Sequence, residues 1–242
     1  MVELPGTMMK SCPLSAAILG AKGRGILPLV ADIKPASPRD GELVGMRDAA
    51  ELARMLVEAG ACALSVVTEP KHFGGSLQTL RRVCEAMRVP VLRKDFFSLP
   101  EQIEETKKQG AGAILLTLAT IPEPLGSTLY DLARELELEV VVEIHTRREL
   151  ERALALSPTI IGINNRDILS LETDSGDVRV TEELAPLVPH GIVKVSESSL
   201  QTEEDILRAI RAGADAVLVG TAILRASDPA AFLSGLIRGV RV

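Results

Sequence analysis

The sequence contains eight short apolar runs that are separated by longer segments with the hydrophobic period of an α-helix. Most of the runs are continuously apolar rather than alternating, which is typical of strands buried on both faces of a parallel sheet. The predicted strands are Leu27–Lys34, Cys62–Thr68, Val89–Lys94, Ala113–Leu118, Val140–Ile144, Ile160–Asn164, Ile192–Ser196 and Ala216–Val219. The predicted helices are Asp48–Ala59, Ser76–Met87, Leu99–Gln109, Leu125–Leu136, Thr146–Ala155, the weaker Thr181–Leu187, Glu203–Ala212 and Pro229–Gly239.

Local signals at the ends of these segments agree with the predicted boundaries. Gly60, Gly110 and Gly213 follow helical segments at the position where a C′ glycine is preferred. Thr202 is followed three residues later by Asp205, a pattern like a capping box at the start of a helix.

Eight units of a strand followed by a helix, repeating about every 20–35 residues, predict a (β/α)8 TIM barrel of the α/β class. An open doubly wound sheet is the alternative, but no glycine-rich nucleotide turn follows the first strand. No linker rich in proline, glycine or serine divides the 242 residues, so we expect one domain over residues 1–242. In it, residues 27–242 form the barrel and residues 1–26 form a short N-terminal helical extension that caps one end.

The charge balance argues against nucleic acid as the main partner. The chain has 27 basic and 33 acidic residues and a net charge of −6, which is still compatible with a positive cavity for an anionic substrate. No apolar run reaches the ~18 residues needed to cross a membrane, so we expect no membrane contact. Three cysteines and three histidines show neither CxxC nor metal-ligand spacing. We therefore expect a cytoplasmic protein without a metal, present as a monomer or weak homo-oligomer.

Charged side chains stand at the carboxyl ends of several predicted strands, where (β/α)8 barrels carry their catalytic groups. Lys34, Lys94 and Glu143 end the first, third and fifth strands. Alternate strands place inward side chains in a common layer, so these three groups are expected to converge. Asp32 lies on the same side of its strand as Lys34. An interior ion pair with a purely structural role is the alternative explanation.

Lys94 is the candidate general acid. Partial shielding by Phe96 and pairing with a carboxylate suit a lysine for proton transfer near neutral pH. The alternative is a structural pair of Lys94 with Asp95 or Glu143. Farther along, the segment Asn164–Asp167 supplies amide and guanidinium groups for hydroxyls or a carboxylate, although an Asx-type turn also explains it.

The last two strands end in residues that suit an anion. Barrel enzymes hold phosphate at this place with backbone N–H groups and the N-terminus of a short extra helix. Ser196–Ser199 ends the seventh strand, Gly220-Thr221 ends the eighth, and Ala222–Arg225 is the predicted extra helix. Ser37, in a proline-stiffened loop after the first strand, also suits anion binding.

With these residues the chain resembles the indole-3-glycerol-phosphate synthase family of tryptophan biosynthesis, from about Leu27 to the C-terminus. The motifs that carry the resemblance are Asp32-Ile-Lys34-Pro-Ala-Ser37-Pro38, Ser65-Val-Val-Thr68-Glu69 with Phe73-Gly74-Gly75-Ser76, Arg93-Lys94-Asp95-Phe96, Val142-Glu143-Ile144-His145, Gly162-Ile-Asn164-Asn-Arg166-Asp167, Ser196-Glu197-Ser198 and Gly220-Thr221. The resemblance implies a carboxy-lyase that closes the ring of 1-(2-carboxyphenylamino)-1-deoxyribulose 5-phosphate. Carbon dioxide and water are lost, indole-3-glycerol phosphate is formed, and no cofactor is needed.

The resemblance also implies roles for individual residues. Lys94 is the expected general acid that protonates the ketone oxygen, Lys34 the group that grips the anthranilate carboxylate, and Glu143 the partner acid/base in dehydration. The remaining expected contacts are to the sugar hydroxyls from Asp32, Asn164, Arg166 and Glu197, to the phosphate from Ser37, Ser198, Ser199, Gly220 and Thr221, and to the aromatic ring from Phe73, Phe96, Leu115 and Ile168.

Two positions depart from the family pattern. Asp32 stands where the family usually has Glu, so its side chain is one methylene shorter. Ser199 stands where a glycine normally approaches the phosphate, which adds a Cβ there.

Three other functions remain as alternatives. The first is an aldolase-like barrel enzyme in which Lys94 or Lys34 forms a Schiff base with the substrate. The second is a phosphate-binding barrel without catalysis, which the converging charges disfavour. The third, phosphoribosylanthranilate isomerase, needs a Cys/Asp pair, whereas no predicted strand ends in a cysteine.

Overall fold

The computed structural model describes residues 12–171, 173–174, 176–240 and 242. Within this part of the chain, eight parallel strands close into a barrel, and helices connect one strand to the next. We number the barrel strands β1 (Leu29–Ile33), β2 (Ala63–Val67), β3 (Val91–Lys94), β4 (Ala113–Thr117), β5 (Glu139–Ile144), β6 (Ile160–Asn164), β7 (Val193–Glu197) and β8 (Ala216–Val219). The predicted (β/α)8 fold is confirmed, and the first eleven residues of the predicted extension lie outside the described residues.

Each predicted helical segment contains a helix whose ends lie within about two residues of the prediction, the usual uncertainty of helix boundaries. Thr181–Leu187 is the exception, since its helix begins earlier and ends in a 3-10 turn at Ala185–Leu187. The outer helices are Ala49–Glu58, Leu77–Ala86, Pro100–Lys108, Glu123–Glu135, Arg147–Ala155, Arg179–Leu184, Glu203–Arg211 and Pro229–Gly239.

The predicted signals at helix ends are present. The Thr202 hydroxyl accepts a hydrogen bond from the backbone N–H of Asp205 (3.2 Å), and the Asp205 carboxylate accepts one from the N–H of Thr202 (2.9 Å). Together these two bonds form the capping box of helix Glu203–Arg211. At its other end Gly213 has a φ of 105°, in the left-handed region that terminates helices.

Four short elements lie in the loops after the strands, and only the last of them is predicted from the sequence. A hairpin joins Ala36–Ser37 to Gly41–Glu42, and single turns of helix span Pro70–Phe73 and Ile168–Ser170. After β8 the extra helix runs over Thr221–Arg225, one residue earlier than predicted. These elements shape the C-terminal end of the barrel.

An aliphatic cluster fills the barrel near the N-terminal ends of the strands. It includes Val30, Leu92 and Val141 from the strands together with Leu14 and Ile18 from the N-terminal helix Leu14–Gly23. Burying each such side chain stabilises the fold by about 1.5–3 kcal/mol.

Polar contacts fix this helix to the same end of the barrel. The Ser15 backbone N–H donates to the carboxylate of Glu139, the first residue of β5, at 3.1 Å. Lys22 pairs with Asp215, just before β8, at 2.5 Å. The N-terminal helix therefore closes the end of the barrel where the strands begin. No helix in the described residues is both long and apolar enough to cross a membrane.

Candidate active site

Three charged side chains from alternate strands meet where the barrel strands end. The Lys94 ammonium of β3 lies 3.5 Å from Oε2 of Glu143 in β5 and 3.7 Å from Oε2 of Glu197 in β7. The carboxylate side chains are 2% and 0% exposed, and that of Lys94 is 13% exposed. The structure thus brings Lys94 and Glu143 together as the strand spacing predicts. It also brings Glu197, one of the residues expected to orient the sugar hydroxyls and the catalytic side chains, close to Lys94.

Asn164, at the end of β6, holds Glu143 in place. Its side-chain Nδ2 donates to Oε2 of Glu143 at 3.3 Å, and its Oδ1 accepts from the backbone N–H of Arg166 at 2.9 Å. Nδ1 of His145 lies 2.9 Å from the Asn164 carbonyl oxygen. With its side chain bonded on both sides and only 1% exposed, Asn164 gives the Glu143 carboxylate one fixed orientation.

An apolar pocket adjoins the charged cluster. The Phe73 and Phe96 rings form one wall, with centroids 6.4 Å apart, and the Lys34 ammonium lies 5.8 Å from the Phe73 centroid. Leu115, Ile168 and Val67 complete the apolar lining. All four predicted ring-contacting residues therefore surround one pocket, which Lys34 also borders.

Glu69 shapes this pocket, although the sequence analysis gives it no role. Its carboxylate accepts hydrogen bonds from the backbone N–H groups of Lys71 (2.9 Å), His72 (2.7 Å) and Phe73 (3.0 Å). It is therefore the N-cap of the single turn that carries Phe73. The signal was present in the sequence, since Glu69-Pro70 places a carboxylate before a proline at the first helical position.

A polar cavity of about 790 Å³ lies beside the apolar pocket. Lys34 and Lys94 border both spaces, so the two are joined through these lysines. The predicted site residues that line the cavity are Asp32, Lys34, Lys94, Arg166, Ser198, Ser199, Gly220 and Thr221. Four charged residues that were not predicted also line it: Arg39, Asp40, Arg225 and Asp228.

Ser198 and Ser199 form an unusual turn at the edge of the cavity. Their φ angles are 64° and 55°, so two successive non-glycine residues are left-handed. The Ser199 hydroxyl accepts a hydrogen bond from Nε of Arg166 at 3.0 Å. Gly176 leaves the space for this contact, since a Cβ there would overlap the Ser199 hydroxyl and approach Cγ of Arg166 to 2.6 Å.

Ser37 differs from the other predicted phosphate residues because it is not part of the cavity wall. Its hydroxyl donates to Oδ2 of Asp40 at 3.1 Å and accepts from the Asp40 N–H at 2.9 Å. Asp40 in turn pairs with Arg225 at 2.8 Å. Ser37 therefore stabilises the loop after β1 and links it, through Asp40, to the short helix after β8.

Two glycines make room for carboxylates of the site. A Cβ at Gly162 in β6 would overlap Oε1 of Glu197, and a Cβ at Gly220 would lie 3.0 Å from Cβ and Oδ2 of Asp32. Gly220 was expected to give an anion access to the backbone, but the structure shows that Asp32 also requires its small size. A glycine inside an apolar strand is the sequence signal for such close approach.

Asp95, which also lines the apolar pocket, belongs to a buried network around Arg93. Nη2 of Arg93 donates to its Oδ2 at 2.9 Å, while the rest of the guanidinium binds Thr68, the Gln102 carbonyl and Thr106. The Arg93 and Asp95 side chains are 4% and 10% exposed. This pair connects β3 to the following helix.

Together these groups form a site suited to proton transfer on an anionic molecule with an apolar ring. An ammonium group held by two carboxylates stands between an apolar pocket and a polar cavity lined by arginines. Among the described residues, no group of three or more His, Cys, Asp or Glu side chains is arranged to hold a metal ion.

Known proteins resemble this chain over most of its length. A family model described as indole-3-glycerol phosphate synthase matches residues 9–236. Curated proteins named indole-3-glycerol phosphate synthase include that of Thermococcus kodakarensis, 45% identical over 93% of this chain and 96% of its own. The Pyrococcus furiosus protein is 46% identical over 91% of this chain and 94% of its own. The Halalkalibacterium halodurans protein is 44% identical over 84% of this chain and 78% of its own.

Solved structures share the fold at low sequence identity. A native KDPGal structure superposes with a TM-score of 0.66 and 17% identity, covering 88% of this chain and 94% of the other. A cube-shaped, porous protein cage designed by fusing symmetric oligomeric domains gives a TM-score of 0.67, also at 17% identity, covering 88% and 72%. These two likenesses concern the barrel alone, whereas the family model and the curated relatives carry the assignment. The chain belongs to the indole-3-glycerol phosphate synthase family.

Proposed function

We propose that this protein converts 1-(2-carboxyphenylamino)-1-deoxyribulose 5-phosphate to indole-3-glycerol phosphate, a carboxy-lyase step of tryptophan biosynthesis. The observation that carries the proposal is the position of Lys94, held by two carboxylates at the border of an apolar pocket and a polar cavity. The substrate has a carboxylated aromatic ring at one end and a phosphate at the other. The two connected spaces match these two ends.

The aromatic ring is proposed to bind at the apolar pocket. Phe73 and Phe96 supply ring faces, and Leu115 and Ile168 complete the walls. Lys34, beside the Phe73 ring, is placed to hold the ring carboxylate until it leaves as carbon dioxide. This arrangement orients the ring carbon for attack on the ketone. Because the two carbons are already positioned, the entropic part of the activation barrier is lower.

Lys94 is the proposed general acid for ring closure. As the aromatic carbon bonds to the ketone carbon, Lys94 gives its proton to the ketone oxygen, which becomes a hydroxyl. Glu143 and Glu197 favour the protonated ammonium before the transfer because both are negative and close. Loss of carbon dioxide then restores the aromatic ring.

Glu143 is the proposed acid/base of the dehydration that follows. It lies in the same cluster as Lys94, and Asn164 fixes its orientation. The hydroxyl formed in the first step takes up a proton and leaves as water, and loss of a proton from the adjacent CH2 carbon forms the double bond that completes the indole. Asp32, Arg166 and Glu197 are the proposed partners of the sugar hydroxyls.

The phosphate is proposed to bind in the polar cavity. Ser198, Ser199, Gly220 and Thr221 line it, as do Arg39 and Arg225, the second of which pairs with Asp40. Ser37 contributes through the loop that it stabilises. Backbone N–H groups and hydroxyls of this kind are typical of phosphate sites after the last two barrel strands.

A Schiff-base role for Lys94 is less consistent with the site. Two carboxylates within 3.7 Å favour the charged ammonium, whereas a Schiff base requires the neutral amine. Borohydride in the presence of the substrate is expected to leave the enzyme active and unmodified.

The domain organisation, the oligomeric state and the cellular location of the protein are also proposals. We propose that residues 1–242 act as one barrel domain, as a monomer or weak homo-oligomer in the cytoplasm, on a small phosphorylated substrate. Size-exclusion chromatography with light scattering tests the oligomeric state.

The decisive experiment follows product fluorescence in wild type, Lys94→Ala and Lys107→Ala. The chain contains no Trp and one Tyr, so indole fluorescence is readable over the protein. We expect product from wild type, a loss on the order of 10²-fold or more in kcat for Lys94→Ala, and no loss for Lys107→Ala, whose side chain is 40% exposed. Wild-type protein that binds the substrate without forming product would refute the proposed activity.

A further inference from the structure

Asn165 is a buried amide beside the left-handed turn at the cavity wall. Its side chain is 1% exposed. Its Nδ2 donates to the backbone oxygens of Glu197 at 3.0 Å and Ser198 at 3.1 Å, and to Oγ of Ser196 at 3.0 Å. The backbone N–H of Asn165 also donates to the Glu197 oxygen, at 2.8 Å. One residue therefore anchors two successive carbonyl groups.

Thr181 fixes the other side of this amide. Oδ1 of Asn165 accepts from the Thr181 hydroxyl at 2.9 Å and from its N–H at 3.1 Å, and the Thr181 and Ser196 hydroxyls are 2.7 Å apart. Thr181 and Ser196 are fully buried. The amide and the two hydroxyls can form a closed ring in which each hydroxyl donates once and accepts once. In this ring one Nδ2 hydrogen points to Ser196 Oγ, so the second hydrogen is left for the two backbone oxygens, of which that of Glu197 also accepts from the Asn165 N–H.

The anchored carbonyls control the conformation of Ser198. They belong to the peptide groups on either side of its φ and ψ bonds, so fixing both sets these two angles. Ser198 and Ser199 are left-handed, a conformation that is sterically unfavourable for a non-glycine residue. The bonds from Asn165 are the interaction that offsets this cost for Ser198.

The same bonds set the direction of two N–H groups. In a trans peptide the N–H points opposite to the carbonyl, and the described chain has no cis peptide bond. The N–H groups of Ser198 and Ser199 therefore point away from Asn165. Both serines line the polar cavity, and successive N–H groups of this kind form a concave anion site.

We propose that Asn165 is a positioning residue for phosphate binding: it holds Ser198 in the left-handed conformation in which the N–H groups of Ser198 and Ser199 face the phosphate. Only the identity of the ligand as a substrate phosphate rests on the proposed function. The anion-binding turn is testable with inorganic phosphate alone.

Asn165→Asp is the direct test, because it keeps the size of the side chain and replaces the donor with an oxygen that repels both carbonyls. We expect the dissociation constant for inorganic phosphate, measured by calorimetry, to rise about tenfold, the effect of losing one charge-assisted hydrogen bond. The KM for the phosphorylated substrate is expected to rise in parallel, with a smaller change in kcat.

Thr181→Val is a milder second variant, since valine has nearly the same shape and removes only the hydroxyl of the ring. We expect it to weaken phosphate binding by a few fold. Tyr130→Phe is the matched control, because it removes another partly buried hydrogen bond, to the Ser157 carbonyl, on the outer helix Glu123–Glu135. Its phosphate affinity is expected to equal that of wild type.

Adding Ser198→Gly to Asn165→Asp separates positioning from general stability. Glycine adopts positive φ without strain, so the double variant is expected to regain part of the lost phosphate affinity. If Asn165→Asp and Thr181→Val lower the melting temperature but leave phosphate affinity unchanged, the inference is wrong. If the wild-type protein makes no product but its phosphate affinity still depends on Asn165, the inference is supported and the proposed function is refuted.

Discussion

Gly162 in β6 leaves the space that the carboxylate of Glu197 in β7 occupies. A Cβ at position 162 would overlap Oε1 of Glu197 and lie 3.0 Å from Cγ1 of Val141. Because Glu197 is fully buried and lies 3.7 Å from Lys94, it cannot move without disturbing the charged cluster.

The first prediction is that Gly162→Ala lowers kcat by at least about tenfold, because a displaced Glu197 no longer positions the Lys94 ammonium. Steady-state kinetics on purified protein is the measurement. Gly235→Ala is the control, since a Cβ there meets no atom within 4 Å and alanine favours the helix Pro229–Gly239. Equal kcat values for the two variants would contradict the prediction.

The second prediction concerns the buried pair of Arg93 and Asp95. Asp95→Ala leaves the Arg93 guanidinium buried without its carboxylate, so we expect the free energy of unfolding to fall by about 3 kcal/mol. Urea denaturation measures it. Glu85→Ala breaks an ion pair with Arg81 whose side chains are 54% and 66% exposed, so it is expected to leave the free energy of unfolding nearly unchanged. Similar costs for the two variants would show that the Arg93 pair is not structurally important.

The third prediction uses two residues that follow helices with positive φ. Ser157 has a φ of 51°, so Ser157→Gly removes strain and is expected to stabilise the protein by about 1 kcal/mol. Gly213 has a φ of 105° and open space around its Cα, so Gly213→Ala adds strain without a clash and is expected to destabilise by about 1 kcal/mol or more. Thermal unfolding of both variants tests the two signs, and shifts in the same direction would count against the strain argument.

The fourth prediction concerns the cysteines. Burial raises the pKa of the Cys62 thiol to about 11 and that of Cys84 to about 12, whereas Cys12 is exposed. Because the thiolate is the reactive form, native protein at pH 8 is expected to show one rapidly labelled thiol, Cys12, with a disulfide reagent. Labelling of all three in denaturant is the control, and rapid native labelling of Cys84 would contradict the burial argument.

The same pKa shifts affect stability in alkaline solution. Above pH 9 the unfolded chain releases the Cys62 proton while the folded protein keeps it, so stability falls as pH rises, up to about pH 11. The loss from Cys62 is expected to be roughly 2 kcal/mol. Cys62→Ala should flatten the pH dependence between these values relative to wild type, and an unchanged slope would exclude Cys62 as its source.

The arrangement of the barrel was readable from the sequence because each buried strand is a continuous apolar run. Where the prediction of a boundary was less accurate, a distant partner decides the structure. β5 begins at the polar Glu139 because Ser15 of the N-terminal helix binds its carboxylate. The turn Pro70–Phe73 was not predicted because one turn has no hydrophobic period, and it exists through the cap from Glu69.

The approach of Lys94 to Glu143 was likewise predictable, since alternate strands of a barrel share a layer. The contribution of Asn165 was not predictable, because the sequence indicated only an Asx-type turn in this segment. Its partners Thr181, Ser196 and Ser198 lie 16 to 33 residues away, and one residue of shift in any strand would break the ring. Such contacts depend on side-chain geometry that periodicity does not encode.

The N-terminal helix, which closes the end of the barrel where the strands begin, also determines how small molecules leave the site. With Leu14 and Ile18 packed against the aliphatic interior, the described residues leave the mouth as the route out. In the proposed reaction, carbon dioxide and water form inside this barrel and leave by the opening through which the substrate enters. We therefore expect their escape, and the entry of solvent protons, to depend on how tightly the substrate fills that entrance.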